Sequence, residues 1–186
     1  MRVNYTGTTK IDLLNDDKRT QIIIDIYDNS NQVGRLTGYF YNLWDFKNNI
    51  FEMLAYADDA NWDECEILDA LTMQEDIKKS LENNLIHGFV TIDRLYIFKD
   101  YRNKGYATSV IKNITHILEK MLNIGSDEFV IGLIPNPYKL KKEDKDLDLS
   151  LKNISFWDNA KKEDLIKFYS RLGFTQTKSD SAVYYY

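Results

Sequence analysis

A chain of 186 residues with 44% hydrophobic and 13% aromatic content can bury a core unaided and is too apolar for disorder. Its formal net charge of −5 has the wrong sign for sequence-independent nucleic-acid binding. No apolar run reaches membrane-spanning length, Met1 to Leu14 lacks a signal-peptide core, and the one cysteine, Cys65, cannot form an internal disulfide. The expectation is one cytoplasmic domain, residues 1–186, with neither a nucleic-acid nor a membrane partner.

Residues 1–19 carry weak signals, with room for a short strand near Val3 or Ile11. Thr20 to Asp28 is β-branched and apolar, Asp28-Asn29-Ser30-Asn31 supplies turn chemistry, and Val33 to Leu43 is rich in aromatics. That order predicts an antiparallel hairpin. Between Trp62 and Leu85, the residues Leu68, Leu71, Ile77, Leu81 and Leu85 recur at helical spacing, with a break near Met73 and a stop at Asn83-Asn84. Every charged residue from Glu52 to Asp76 is acidic: Glu52, Asp58, Asp59, Asp63, Glu64, Glu66, Asp69, Glu75 and Asp76. A solvated helix face is the plainer explanation; a funnel for a cationic acceptor such as a polyamine, an aminoglycoside or a peptide amine is the sharper one.

His87 to Phe98 reads as a strand. Strict alternation there would put Thr91, Asp93, Leu95 and Ile97 on one face and Ile92, Arg94 and Tyr96 on the other. Gly105 to Leu122 reads as one amphipathic helix whose apolar face carries Ala107, Val110, Ile111, Ile114, Ile117, Leu118 and Met121. Glu128 to Ile134 is a buried strand, parallel to the preceding one through a crossover, and Pro135-Asn136-Pro137 stops it. Lys139 to Asp158 is a long charged connection, a candidate substrate lid. In the last helix Leu165, Phe168 and Leu172 share a face, and Gly173 suits a left-handed cap. Thr175 to Lys178 and Ala182 to Tyr186 complete the chain as two short antiparallel strands.

The turn between the strand and the helix, Arg102-Asn103-Lys104-Gly105-Tyr106-Ala107, is the most informative segment. A basic, glycine-containing turn offers main-chain N–H groups at a helix N-terminus, where an anionic phosphate binds. Gly105 lets a ligand approach the backbone closely, and Arg102 and Lys104 add charge. It is not a Walker turn, because the lysine precedes the only glycine, and two of the three glycines of the dinucleotide pattern are missing. His87, His116 and Cys65 show no metal-ligand spacing, so no metal is expected.

Arg102, Gly105 and Ala107 fill the pattern Arg/Gln-x-x-Gly-x-Gly/Ala, and the turn resembles the acyl-CoA-binding turn of the GNAT superfamily of N-acetyltransferases. Tyr169 followed by Gly173-Phe174 is similar to that family's last helix and its exit. The resemblance covers residues 87–186 and is weak before them. It implies an α+β domain with a mixed, mostly antiparallel central sheet, two splayed parallel strands and flanking helices. One departure stands out: here helices lie between the hairpin and the central strand, whereas the family usually places them before the hairpin.

The implied reaction moves an acetyl group from acetyl-CoA directly to an amine, either a small molecule or a peptide. By this resemblance, main-chain groups of Leu95, Tyr96 and Ile97 align the pantetheine arm and polarise the thioester. Arg102, Asn103, Lys104, Gly105, Tyr106, Ala107 and Thr108 hold the diphosphate. Tyr169 occupies the general-acid position and donates to the departing thiolate. Asp93 is the candidate base, with pairing to Arg94 or to a cross-strand lysine as the plainer role. Tyr184 to Tyr186 are expected to pair and pack at a sheet edge, and the resemblance implies the last strands as the place for a homodimer. A CoA-binding module without turnover, serving as a sensor or an assembly partner, is the alternative.

Overall fold

Ile22, Ile24 and Ile26 alternate with half-buried neighbours and are themselves fully buried, which builds strand β2 (Arg19–Asp28). Asn29 takes a left-handed φ of 54°, and β3 (Asn31–Asn42) returns antiparallel, so the expected hairpin is present. The protein is described by a computed structural model covering residues 3–11, 18–135, 161–178 and 181–186. Strand β1 (Val3–Ile11) spans both of the suspected strand positions and pairs with β2 from Val3↔Asp28 to Ile11↔Thr20.

Three helices follow the hairpin: α1 (Ile50–Ala60), α2 (Trp62–Thr72) and α3 (Glu75–Glu82). Helix α1 adds to the expected elements, and Ile50, Met53, Leu54 and Ala57 stand at its spacing. Asn49 starts α1 by accepting from the N–H groups of Phe51 and Glu52, and Asn61 starts α2 by accepting from Asp63. The break near Met73 is where expected. The single helix expected over 105–122 is two, α4 (Tyr106–Lys112) and α5 (Ile114–Leu122). Asn113 interrupts them with φ −109° and ψ 8°, and its side-chain amide donates back to the Ser109 carbonyl at 2.8 Å. Such local side-chain bonding competes with the helical ladder.

Strand β4 (Gly88–Ile97) pairs antiparallel with β3 and parallel with β5 (Phe129–Leu133). Helix α6 (Lys162–Arg171) leads through Gly173, at φ 101°, into β6 (Thr175–Gln176) and β7 (Tyr184–Tyr185). The described strands form one mixed sheet in the order β1-β2-β3-β4-β5-β7-β6, antiparallel except for β4–β5. One face carries Val110, Ile111, Ile114 and Leu118 of α4 and α5 against the buried isoleucines of β2 and Val90 and Ile92 of β4. The other carries Met53, Ala57, Ile67, Leu68 and Leu71 of α1 and α2 against Tyr41, Phe89 and Val130. The architecture is thus an α+β sheet with a helical layer on each side. No described helix is long and apolar enough to cross a membrane. The connection Lys139 to Asp158, with its expected lid role, lies outside the described residues.

One feature of β4 overturns the expected alternation. The register runs Gly38↔Ile92 and then Thr37↔Arg94, so Asp93 is the extra residue of a bulge and stands opposite no single register position of β3. A Cβ on Gly38 would stand 2.2 Å from the Thr91 carbonyl oxygen, so the two backbones approach there only because position 38 is glycine. A bulge shifts side-chain parity by one residue. Ile92, Leu95 and Ile97 therefore share the α4–α5 face, instead of Leu95 and Ile97 sharing a face with Thr91 and Asp93.

Candidate functional site

The β4–β5 ladder starts at Gly88↔Phe129 and ends at Ile92↔Leu133, while β4 continues to Ile97. Among the described residues, β4 beyond Ile92 is paired on its β3 side alone. The Phe98 N–H donates to the Val33 carbonyl at 2.9 Å. Main-chain groups alternate direction along an antiparallel pair, so Arg94 and Tyr96 also point to β3, and Leu95 and Ile97 point to the side that β5 has left. The Ile97 carbonyl there accepts from Arg102 Nε at 3.0 Å. This separates three residues expected to act together: Leu95 and Ile97 present backbone to the open edge and Tyr96 does not. The Tyr96 ring packs instead on Phe98, centroid to centroid 5.9 Å.

A cavity of about 340 Å³ lies along that open edge. It is lined by Leu95 and Ile97 of β4 and by Arg102, Asn103, Gly105, Tyr106, Ala107 and Thr108 of the turn and the start of α4. Leu165, Phe168 and Tyr169 of α6 also line it, as does Tyr101. Most of the sequence-derived set is therefore gathered around one space, whereas Tyr96, Lys104 and Asp93 do not line it. Leu165, Phe168 and Tyr101 line it without having been singled out for binding; the helical stripe containing Leu165 and Phe168 was their one visible signal.

Backbone handedness alternates along the turn. Asn103 (φ 59°) and Gly105 (φ 85°) are left-handed, whereas Lys104 and Tyr106 are not, and such alternation turns successive N–H groups toward one concavity. Gly105 caps α4 with no side-chain hydrogen bond to the helix amides, and a Cβ built on it meets nothing within 4 Å. The space in front of the turn is open. Arg102 uses its Nε to brace the end of β4, a role the expectation of a phosphate fork did not include. Lys104 Nζ lies 5.2 Å from the centroid of the Tyr101 ring.

Tyr169 is 8% exposed and packs edge-on against Phe168 and Phe174, with centroids 5.1 and 5.5 Å away. Burial pushes its pKa well above that of an ordinary phenol, so the hydroxyl stays neutral and able to donate. Tyr106, the first residue of α4, donates to Asp28 Oδ2 at 2.5 Å. That bond, with desolvation, pushes its pKa up to about 12.

Asp93 sits on the bulge, with Oδ2 3.1 Å from Arg94 Nε and 3.4 Å from Thr37 Oγ1. Its charge acts on Tyr39 and Glu64. Tyr41 and Glu64 belong to the α1–α2 layer, and Tyr169 to the cluster on the other face. The structure does not bring the two expected catalytic side chains together on one face.

Sequence reasoning missed a buried ion-pair network. Glu64 of α2 is 3% exposed and accepts from Arg19 Nη1 at 2.9 Å on Oε1 and 2.8 Å on Oε2. The Tyr41 hydroxyl also donates to Oε2, and the Arg19 guanidinium lies 4.2 Å from the centroid of the Tyr39 ring. Burial pushes the Glu64 pKa above the usual carboxylate value, although Tyr41 and Arg19 pull it back. Burial alone would lower Arg19, but the Glu64 charge together with hydrogen bonding to Tyr41 and Glu64 more than compensates and keeps the guanidinium charged. One signal was available: Glu64, Ile67, Leu68 and Leu71 stand at the spacing of a buried helical stripe, a place where a carboxylate needs a partner. The other acidic residues behave more simply. Asp58, Asp59, Asp63, Asp69, Glu75 and Asp76 are exposed, and Glu52 pairs with Lys18.

His87 lies 3.5 Å from Glu128, His116 lies 3.4 Å from Glu119, and burial pushes the half-buried Cys65 thiol up. Among the described residues, no group of three or more His, Cys, Asp or Glu side chains could hold a metal ion. No protein-family model, curated protein or solved structure matches this chain.

Proposed function

We propose that the chain is an acyl-CoA-dependent N-acyltransferase of the GNAT type that moves an acetyl group from acetyl-CoA to an amine. One observation carries this reading: the edge of β4 at Leu95 and Ile97, which no described strand covers, runs into a cavity bounded by the uncapped turn 102–108 and by Tyr169. An extended chain bearing amides, such as a pantetheine arm, can pair with that edge as a short extra strand would. A diphosphate would lie over the turn, where main-chain N–H groups and the positive end of α4 favour negative charge. The parting of β4 from β5 beyond Ile92 also supports the finer reading of the fold, with splayed parallel strands.

The chemistry then needs little beyond placement. Alignment of amine and thioester supplies effective molarities on the order of 10⁵ M or more. The amine nitrogen attacks the thioester carbonyl, a C–N bond forms and the C–S bond breaks. The acceptor gives one proton to a base before attack and loses a second as the amide forms; that second proton neutralises the departing thiolate, which the Tyr169 hydroxyl meets. Asp93, at the level where the strands part, is the base in this scheme, and the acceptor would approach from the α2 face. An acceptor amine of pKa near 10 arrives protonated at neutral pH, so some base is required.

Calorimetry with acetyl-CoA tests the donor site. Wild-type protein should bind, and the Arg102→Ala/Gly105→Glu double variant should not, because it loses charge, places a carboxylate at the cradle and strains a residue at φ 85°. Equal binding by both would remove the cradle from the scheme. The pairing of Asp93 with Arg94, away from the cavity, favours a second reading: a CoA-binding module without turnover. Release of free thiol from acetyl-CoA across a panel of amines separates the two, since a sensor binds and releases none.

A further inference from the structure

Asn103 and Gly105 hold left-handed conformations next to a helix start that no side chain caps, so something outside the turn must fix its shape. Arg102 ties the near side of the turn to the Ile97 carbonyl, and Tyr106 anchors the far side. The Tyr106 ring is 3% exposed, its edge meets Tyr101 at 6.2 Å, and its hydroxyl donates to Asp28, which lies 78 residues earlier in the chain. Asp28 ends β2, is paired in register with Asn31 across the hairpin, and adjoins the left-handed Asn29. Its carboxylate is therefore held by the sheet, independently of the turn.

We propose that the Tyr106–Asp28 hydrogen bond is the latch that holds the 102–105 turn in its open, concave shape, and that Asp28 is a positioning residue for the anionic end of the donor. Asp28 does not line the cavity; it acts through Tyr106, which does. The arrangement has an electrostatic oddity that a purely attractive anion site would not choose. A carboxylate stands one side chain behind a cradle for phosphate, where its charge opposes the ligand. Its geometric service must therefore outweigh its charge. Removing the charge while keeping the acceptor should leave binding intact or tighten it, and removing the acceptor should weaken it. The inference rests on the donor reading for its ligand, but the conformational half stands without it.

The test uses the full-length chain with Tyr106→Phe, Asp28→Ala and Asp28→Asn. CoA affinity is measured by calorimetry, and hydrogen exchange is followed at the first-turn amides of α4, beginning with Ser109, which donates to the Gly105 carbonyl at 2.9 Å. In Tyr106→Phe and Asp28→Ala, CoA binding should weaken roughly tenfold and exchange at Ser109 should quicken by a similar factor. Amides of β2 and α2 should keep their protection. Asp28→Asn retains an oxygen acceptor and should restore both properties, with affinity equal to or above that of the wild type. A merely structural role would instead lower the melting temperature of all three variants and leave affinity per folded molecule unchanged. Wild-type exchange in Tyr106→Phe overturns the latch, and so does an Asp28→Asn that behaves like Asp28→Ala. Wild-type protein that binds no CoA overturns the donor reading; the exchange pattern still decides the latch.

Discussion

Replacing Tyr169 with Phe separates binding from chemistry at the candidate site. The ring is buried between Phe168 and Phe174, and those contacts survive the change, so stability should shift by no more than about 1 kcal/mol. The hydroxyl alone is lost. An ordinary phenol at pKa about 10 is a weaker acid than a thiol at about 8.5, so full proton transfer to the departing sulfur is uphill by roughly 2 kcal/mol before burial is counted. Burial pushes Tyr169 further in the same direction. What remains is a neutral donor hydrogen-bonding to a developing thiolate, an interaction of about 1.5–3 kcal/mol. Removing it should lower kcat roughly 10- to 100-fold and leave CoA affinity within about threefold of the wild type. Steady-state thiol release gives kcat, and calorimetry gives the affinity. Because the protonated form is the active one and its pKa is raised, Tyr169 should contribute no alkaline fall in kcat below about pH 10. An unchanged kcat, or an equal loss in kcat and in CoA affinity, would refute the reasoning.

The Glu64 network leads to two further expectations. Glu64→Ala strands the Tyr41 hydroxyl and the Arg19 charge, and should destabilise the fold by about 3 kcal/mol, near the low end for a broken buried pair, since Arg19 keeps 18% exposure and its Tyr39 contact. A melting-temperature drop of roughly 6–12 °C in calorimetry would agree; no drop would not. For pH, the raised Glu64 pKa means that the native state holds a proton more firmly than the unfolded chain does. Stability from this group is then greatest below about pH 4.3 and falls as pH rises through the native pKa. The penalty of Glu64→Gln in urea unfolding should therefore shrink from pH 4.5 to 7; a growing penalty would show that the partners outweigh burial. Gly132→Val would put a Cβ 2.5 Å from Ile67 Cγ2 and 2.8 Å from Leu71 Cδ1, forcing α2 off β5 at a cost of about 1–3 kcal/mol by chemical denaturation. Asp93→Asn should depress kcat at neutral pH and abolish the acidic limb of the rate profile; an unaltered profile would assign the base elsewhere.

What could be read from the chain without its coordinates was local. The β2–β3 hairpin, the break before α3, the turn at 102–105 and the exit through Gly173-Phe174 depend on periodicity and turn chemistry acting over a few neighbours, and each stands where the residues indicate. The turn and the final helix also proved to face one cavity. Tertiary structure decided the rest, because it depends on approaches between residues far apart in sequence. Glycine at position 38 lets β3 crowd Thr91 and forces Asp93 out as a bulge, which turns Leu95 and Ile97 toward the cavity and carries Asp93 away from Tyr169. Glu64 finds Arg19 and Tyr41 across 45 and 23 residues, and Tyr106 finds Asp28 across 78. No pattern along the chain encodes those meetings; they exist only once the sheet has brought its strands and helices into register.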